Sequence, residues 1–142
     1  MIVAQMLKGK SVGVITVTPA NPVSMAAKLL ADNRIGAVVV SANGTSIDGI
    51  LSERDIVRVL AERGAAVLTA PVSELMTTKV ITCRLNDSIN EIMAMMSQGR
   101  FRHLPVAEHG ALVGIISIGD VVKARVGEIE GEANALRAYI NA

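Results

Sequence analysis

The chain has 142 residues, 51% of them apolar and 19% charged, with 14 Lys and Arg against 13 Asp and Glu. That composition supports one compact folded unit and is unlike a disordered chain. Residues 1–71 carry seven bases and five acids and residues 72–142 seven and eight; with no Trp, one Tyr and one Phe, neither charge nor aromatic platforms favour a nucleic-acid ligand.

Cys83 is the single cysteine and His103 and His109 the only histidines, which argues against a disulfide and against a zinc site. The opening MIVAQMLKGK is soon broken by Gln5, Lys8 and Lys10, and no run approaches the ~18 apolar residues of a membrane helix. These features lead us to expect a soluble, cytoplasmic protein with no membrane partner.

Taken in chain order, Val3–Leu7 reads as a short lead-in helix. Gly9-Lys10-Ser11 is no phosphate-binding P-loop, because Ala4 holds the required earlier glycine position and no strand precedes it. A strand follows at Val14-Ile15-Thr16. Asn21-Pro22 predicts an N-cap and first-turn proline, and Val23, Ala26, Ala27 and Leu30 have the spacing of a helix's apolar face. Ala37–Ser41 and Ile47–Ser52 read as strands around a Gly-containing turn, with a helix starting near Glu53. Glu62–Pro71 is a linker and Val72–Met76 a second lead-in helix. The order then recurs: Val80-Ile81-Thr82, a helix capped at Asp87-Ser88 with Ile89, Ile92, Met93 and Met96 on one face, strands at Leu104–Ala107 and Leu112–Ser117, and a helix from Ile118. This last helix continues to about Ile140. Its stripe of Ile129, Ala133, Leu136 and Ile140 suits either the chain's own core or a second copy.

The chain therefore repeats itself once. An offset of 66 pairs Val14-Ile15-Thr16 with Val80-Ile81-Thr82, Arg34 with Arg100 and Val40 with Val106. After a one-residue loss the offset is 65, pairing Gly49-Ile50 with Gly114-Ile115, Ser52 with Ser117 and Asp55 with Asp120. Each unit of roughly 50–55 residues is marginal alone, so two copies packed face to face are expected to bury what neither covers by itself.

Both copies carry a dense turn, Gly49-Ile-Leu-Ser-Glu-Arg-Asp55 and Gly114-Ile-Ile-Ser-Ile-Gly-Asp120. Ser-x-x-Asp there fits a helix capping box. The same geometry also suits a nucleotide: helix N–H groups and a hydroxyl for phosphate, a carboxylate for the ribose diol, aliphatic strands for the base. Arg100, Arg102 and His103 precede a strand and can complete an anion site. The first copy has Ile35-Gly-Ala-Val opposite Phe101–Leu104 and so lacks the charge of Arg102 and His103, but has Arg54 where the second has Gly119.

The motifs GILSERD, GIISIGD, RIGAVVV and FRHLPV and the openings VITVTP and VITCRL resemble those of the CBS domain. The likeness covers about residues 3–126 and implies a stand-alone tandem pair. The tail also resembles that of stand-alone bacterial pairs. The resemblance implies an α+β fold of two pseudo-symmetric repeats, each a small, mostly antiparallel three-stranded sheet with two helices, packed sheet to sheet. Residues 1–66 would form the first repeat with its lead-in helix, 72–126 the second, and 127–142 a helical extension. It further implies a regulatory module, not an enzyme, that binds AMP, ADP, ATP, NAD or S-adenosylmethionine in clefts between the repeats. In that reading Asp55 and Asp120 hold ribose, and Ser52 and Ser117 hold phosphate. Thr16, Val17, Ile35, Gly36, Ala37, Val38, Thr82, Cys83, Phe101 and Leu104 border base or phosphates, and Arg54, Arg102 and His103 are counter-charges. No metal or catalytic cofactor is implied. A homodimer and an unknown regulated protein are the expected partners, and the competing reading is a dimerisation scaffold with empty clefts.

Overall fold

The computed structural model describes residues 1–10 and 13–142; Ser11 of the Gly9-Lys10-Ser11 segment lies outside the described residues. Helix α1 (Val3–Lys8) leads into β1 (Thr16–Val17), α2 (Val23–Asn33), β2 (Ala37–Val40), β3 (Gly49–Ser52) and α3 (Glu53–Arg63). Two short 3-10 turns, Ala65–Thr69 and Val72–Glu74, occupy the linker and the second lead-in. The second repeat has α4 (Ile89–Gly99), β4 (His103–Glu108), β5 (Ala111–Ser117) and α5 (Ile118–Ile140).

In the first repeat β1 runs parallel to β2, which pairs antiparallel with β3. The second repeat builds a longer hairpin from β4 and β5, closed by His109 and Gly110, both at positive φ. Two consecutive left-handed residues match the right-handed twist of the strands they join. The expected third strand around Thr82 is reduced to one parallel bridge, Cys83 to Val106, at the positions equivalent to Val17 and Val40. The first hairpin is shorter because its 41–48 loop bonds to itself: Asp48 accepts the Ala42 N–H at 2.7 Å and Asn43 that of Ser46 at 2.7 Å.

Each repeat has its own core. Val23, Leu30, Val38, Leu51 and Val72 are fully or almost fully buried in the first, and Val3, Ile92, Leu104, Val106 and Ile116 in the second. Val3 and Val72 stand out in those sets, because each comes from the lead-in that chain order would give to the other repeat. The lead-ins are exchanged. Val3 N–H donates to Asp87 O (2.9 Å), Ala4 N–H to Leu85 O (2.9 Å), and Ile89 N–H to Met1 O (3.0 Å). The counterparts recur bond for bond: Val72 to Asn21 (2.8 Å), Ser73 to Pro19 (3.0 Å), Val23 to Ala70 (2.9 Å). The sequence boundary that groups α1 with residues 1–66 therefore follows the chain but not the packing. The exchange also explains the glycine that opens both motifs. A Cβ on Gly49 would lie 2.6 Å from Met76 Sδ, and one on Gly114 2.7 Å from Leu7 Cδ2.

Helix starts follow the capping expectations with one change. Ser88 accepts the Glu91 N–H at 3.1 Å, as a cap should. Asn21 does not cap α2; Pro22 holds the N-cap position and Asn21 Oδ1 accepts from Thr18 N–H at 2.8 Å.

A shared electropositive cavity as the candidate functional site

The two Ser-x-x-Asp turns open into one cavity of about 1070 Å³ between the repeats. Each turn is a complete capping box. Ser52 N–H donates to Asp55 Oδ2 (3.0 Å) and Asp55 N–H to Ser52 Oγ (3.2 Å); the matching pair at Ser117 and Asp120 measures 2.8 and 3.1 Å. Both carboxylates are thereby fixed at the start of a helix, with their second oxygen turned to different company. Asp55 Oδ1 accepts from Arg58 at 3.2 Å. At Asp120 the Lys10 ammonium shares Oδ2, at 2.8 Å, and no described residue donates to Oδ1.

Lys10 also donates to Ile115 O at 2.8 Å, so it ties the α1 lead-in to the second repeat's turn. Burial alone would raise the Asp120 carboxyl pKa, but the bonds from Lys10 and Ser117 outweigh it and hold that group below its usual value. His103 goes the other way for its class. Burial pushes its pKa below the ordinary histidine value, overcoming the pull of Glu53 and Asp120, so the imidazole is neutral near pH 7. It sits where the repeats meet, since a Cβ on Gly36 would lie 2.9 Å from His103 Nε2.

The cavity wall concentrates charge that the chain as a whole balances. Eight of the 14 basic residues line it, against Glu53, Asp55 and Asp120 among the acids. Six of the eight are pseudo-symmetric pairs: Lys10 with Lys79, Arg34 with Arg100, and Arg58 with Lys123. Arg54 and Arg102 are the unpaired additions. Arg34 and Arg100 each end a helix in the left-handed conformation (φ 53° and 55°), a position usually left to glycine. An arginine thus turns the chain in the same left-handed way at both equivalent places, and both line the cavity. Ile15, Ile50, Val80, Ile81 and Ile115 supply apolar wall.

The CBS-domain profile matches residues 10–62 and 72–127, most of the chain. The chain belongs to the CBS-domain family and is a tandem CBS pair. It is 46% identical, with a TM-score of 0.83, to a CBS-domain protein of known structure from Agrobacterium tumefaciens; the match covers 88% of this chain and 99% of that one. The mitochondrial CBS domain-containing protein CBSX3 of Arabidopsis thaliana is 35% identical over 119 residues, 81% of this chain but 58% of CBSX3. This chain thus spans little more than half of that relative. A CBS-domain protein from Pyrobaculum aerophilum, solved in complex with AMP, is 25% identical with a TM-score of 0.74, covering 84% of this chain and 89% of its own.

Of the site residues inferred from sequence, Ile35, Gly36, Ala37, Ser52, Arg54, Asp55, Phe101, Arg102, His103, Ser117 and Asp120 line the cavity of the CBS pair. Val17, Val38, Cys83 and Leu104 do not; their side chains are buried in the two cores. Strand alternation explains Val38 and Leu104, each next to a lining residue that faces the opposite way. Burial, with the Asp87 charge beside it, pushes the Cys83 thiol pKa up to about 12, so that thiol stays protonated. Thr16 and Thr82 are off the wall by one residue, with Ile15 and Ile81 in their stead. Sequence reasoning missed Lys10, Arg34, Arg58, Lys79 and Lys123 as site residues. The repeat offset applied to the basic residues alone would have found Arg58 with Lys123. Lys10 with Lys79 needed the separate spacing of 69 that relates the lead-ins.

Proposed function

We propose that this CBS pair is a regulatory module that binds a phosphate-bearing, adenosine-containing ligand in the shared cavity. The observation that carries the reading is the joint presence, around one cavity, of eight basic side chains and two carboxylates fixed at helix starts. Arginines form paired, charge-assisted hydrogen bonds to phosphate, and a fixed carboxylate accepts from the two hydroxyls of a ribose. Asp120 Oδ1 is the better placed acceptor, since Arg58 already engages Asp55 Oδ1. The apolar wall suits a purine. The AMP complex of the Pyrobaculum relative supports the adenosine part of this reading.

The wall's excess of positive charge favours AMP, ADP, ATP or NAD over S-adenosylmethionine, whose sulfonium is itself cationic. His103, being neutral, would serve as a hydrogen-bonding group, and the counter-charge would come from the arginines and lysines. The module would act without catalysis, relaying ligand occupancy to a regulated protein, and would work as a homodimer in the cytoplasm. Exposed Val57, Val122 and Tyr139 support the two-copy part.

One observation favours the scaffold reading as the alternative: both carboxylates already serve as caps. Thermal melting separates the two. At 100 times its dissociation constant a ligand adds about 2.7 kcal/mol of stability. AMP at millimolar concentration should raise the melting temperature clearly, and adenosine much less. No shift with AMP, ADP, ATP, NAD or S-adenosylmethionine would leave the scaffold.

A further inference from the structure

Helix α5 runs for 23 residues, yet Val121 is its one fully buried side chain, and nothing beyond Ala124 belongs to either core. Gly127 still borders the cavity and Glu128 holds the Met1 ammonium at 2.8 Å, and a regular apolar stripe runs on along the helix to Ile140. Val122, Val126, Ile129, Ala133, Leu136 and Ile140 are spaced four, three, four, three and four apart. At 3.6 residues per turn they span an arc of about 80°, a narrow seam rather than the broad face of a core helix. Five of them are exposed, Leu136 at 60% and Ile140 at 69%. Gly127 and Gly131 fall on the outward positions, where a Cβ would meet nothing. A helix with two glycines is not sustained by propensity alone and needs packing along its apolar side.

We propose that this seam is where α5 pairs with the α5 of a second copy of the chain, in parallel and in register. Val126, Ala133 and Ile140 take the first core position of each heptad and Val122, Ile129 and Leu136 the second. The flanking charges choose the direction. In the parallel pairing Arg125 of one copy faces Glu130 of the other, and Glu132 faces Arg137, each twice across the two-fold axis. The antiparallel pairing that overlaps the whole seam sets Val126 against Leu136 and Ile129 against Ala133. It would bring Glu130 onto Glu130, Glu132 onto Glu132, and Lys123 onto Arg137. Every flanking charge pair would then be repulsive. Arg125 already donates one terminal nitrogen to Glu128 at 3.0 Å, and the other donates to no described residue. The paired stretch is roughly 28 Å long at 1.5 Å per residue.

The inference rests on the two-copy reading but not on the ligand reading, and the test keeps them apart. Light scattering over a concentration series should show a dimer. Glu132→Arg and Arg137→Glu should each move the association midpoint at least about tenfold higher, and the double reversal should bring it back to within about threefold. Val126→Cys and Leu136→Cys should each form a disulfide-linked dimer under mild oxidation, because equivalent residues meet only in the parallel register; native Cys83 is buried and does not compete. Circular dichroism confirms that each variant is folded, none of these residues being in a core. Linkage only when Val126→Cys and Leu136→Cys chains are mixed would mean antiparallel pairing and overturn the proposal. So would a monomer, a double reversal that fails to restore, or a dimer held by another surface that ignores Glu132→Arg and gives no linkage. AMP titration of the same variants reports on the ligand reading separately.

Discussion

The turn at Ser52–Asp55 and the turn at Ser117–Asp120 make the same reciprocal backbone caps, but their surroundings differ. In the first repeat the Ile50 carbonyl accepts from the Thr77 N–H at 2.9 Å, a backbone bridge supplied by the lead-in. In the second the equivalent Ile115 carbonyl accepts from the Lys10 ammonium, because α1 stays helical to Lys8 and brings a side chain instead of a strand. That lysine then reaches Asp120. Its counterpart, Lys79, lines the cavity and is bonded to no described carboxylate. Local sequence thus sets the cap, while the exchanged lead-ins set the charge beside it. Two copies of one motif become chemically distinct halves of one cavity.

The largest effects should come from breaking the exchange itself. Met6→Ala and Leu75→Ala each remove a buried side chain from a lead-in, and each should cost about 2–5 kcal/mol. Hydrogen exchange should show Met6→Ala loosening α4, β4 and β5, and Leu75→Ala loosening α2, β2 and β3. The reverse pattern would mean the lead-ins serve the repeats that chain order assigns them.

The carboxylates come next. Asp120→Asn and Asp55→Asn retain some capping ability, so stability should change by no more than the ~0.5–2 kcal/mol scale of a lost cap. Hydrogen bonds to a charged group are worth about 1.5–3 kcal/mol, so AMP affinity should fall roughly tenfold or more for Asp120→Asn and less for Asp55→Asn. Titration calorimetry on both variants, each shown to be folded, checks the ranking. Unchanged affinity in both would return the turns to a purely capping role.

The glycines offer a finer contrast. A Cβ on Gly49 would meet the Thr77 carbonyl at 3.0 Å as well as Met76, whereas on Gly114 it would meet only the Leu7 side chain. A backbone atom gives way less easily than a methyl group. Gly49→Ala should therefore lie nearer the upper end of the ~1–3 kcal/mol of overpacking and Gly114→Ala nearer the lower, by denaturant midpoints.

The smallest expected effect is on pH dependence. His103 titrates lower when folded than when unfolded, so below the ordinary histidine value the unfolded chain binds more protons and stability falls. Melting temperature should drop as pH goes from 7 to 5, more steeply in wild type than in His103→Gln. Equal slopes would mean that the Glu53 and Asp120 carboxylates, which favour the charged imidazole, offset its burial and the nearby Lys10 and Arg102 charges.

The repeat, both hairpins and the start of each main helix were legible in the sequence because they rest on local signals: apolar spacing, caps and turn residues. The exchange of lead-ins was not. Apolar spacing in Val3–Leu7 and Val72–Met76 shows that each is buried but is silent on which core receives it. Lys10 was hidden for the same reason, since its partner Asp120 is 110 residues away. Val17, Val38, Cys83 and Leu104 belong to motif segments that border the cavity, but their own side chains face the two cores, which a motif read as a whole does not separate. The repeat matches Arg34 to Arg100, yet only the structure shows that both end a helix in the left-handed conformation and line the same cavity.

The proposed function places a phosphate-bearing adenosine ligand in one electropositive cavity between the repeats. The most direct test is calorimetric titration of the wild-type protein with AMP and with adenosine, at low and at high salt. AMP should bind saturably and more weakly as salt screens the basic wall, with adenosine binding weaker and less sensitive to salt. Adenosine binding as tightly as AMP at both salt levels, or no binding of either, would contradict it.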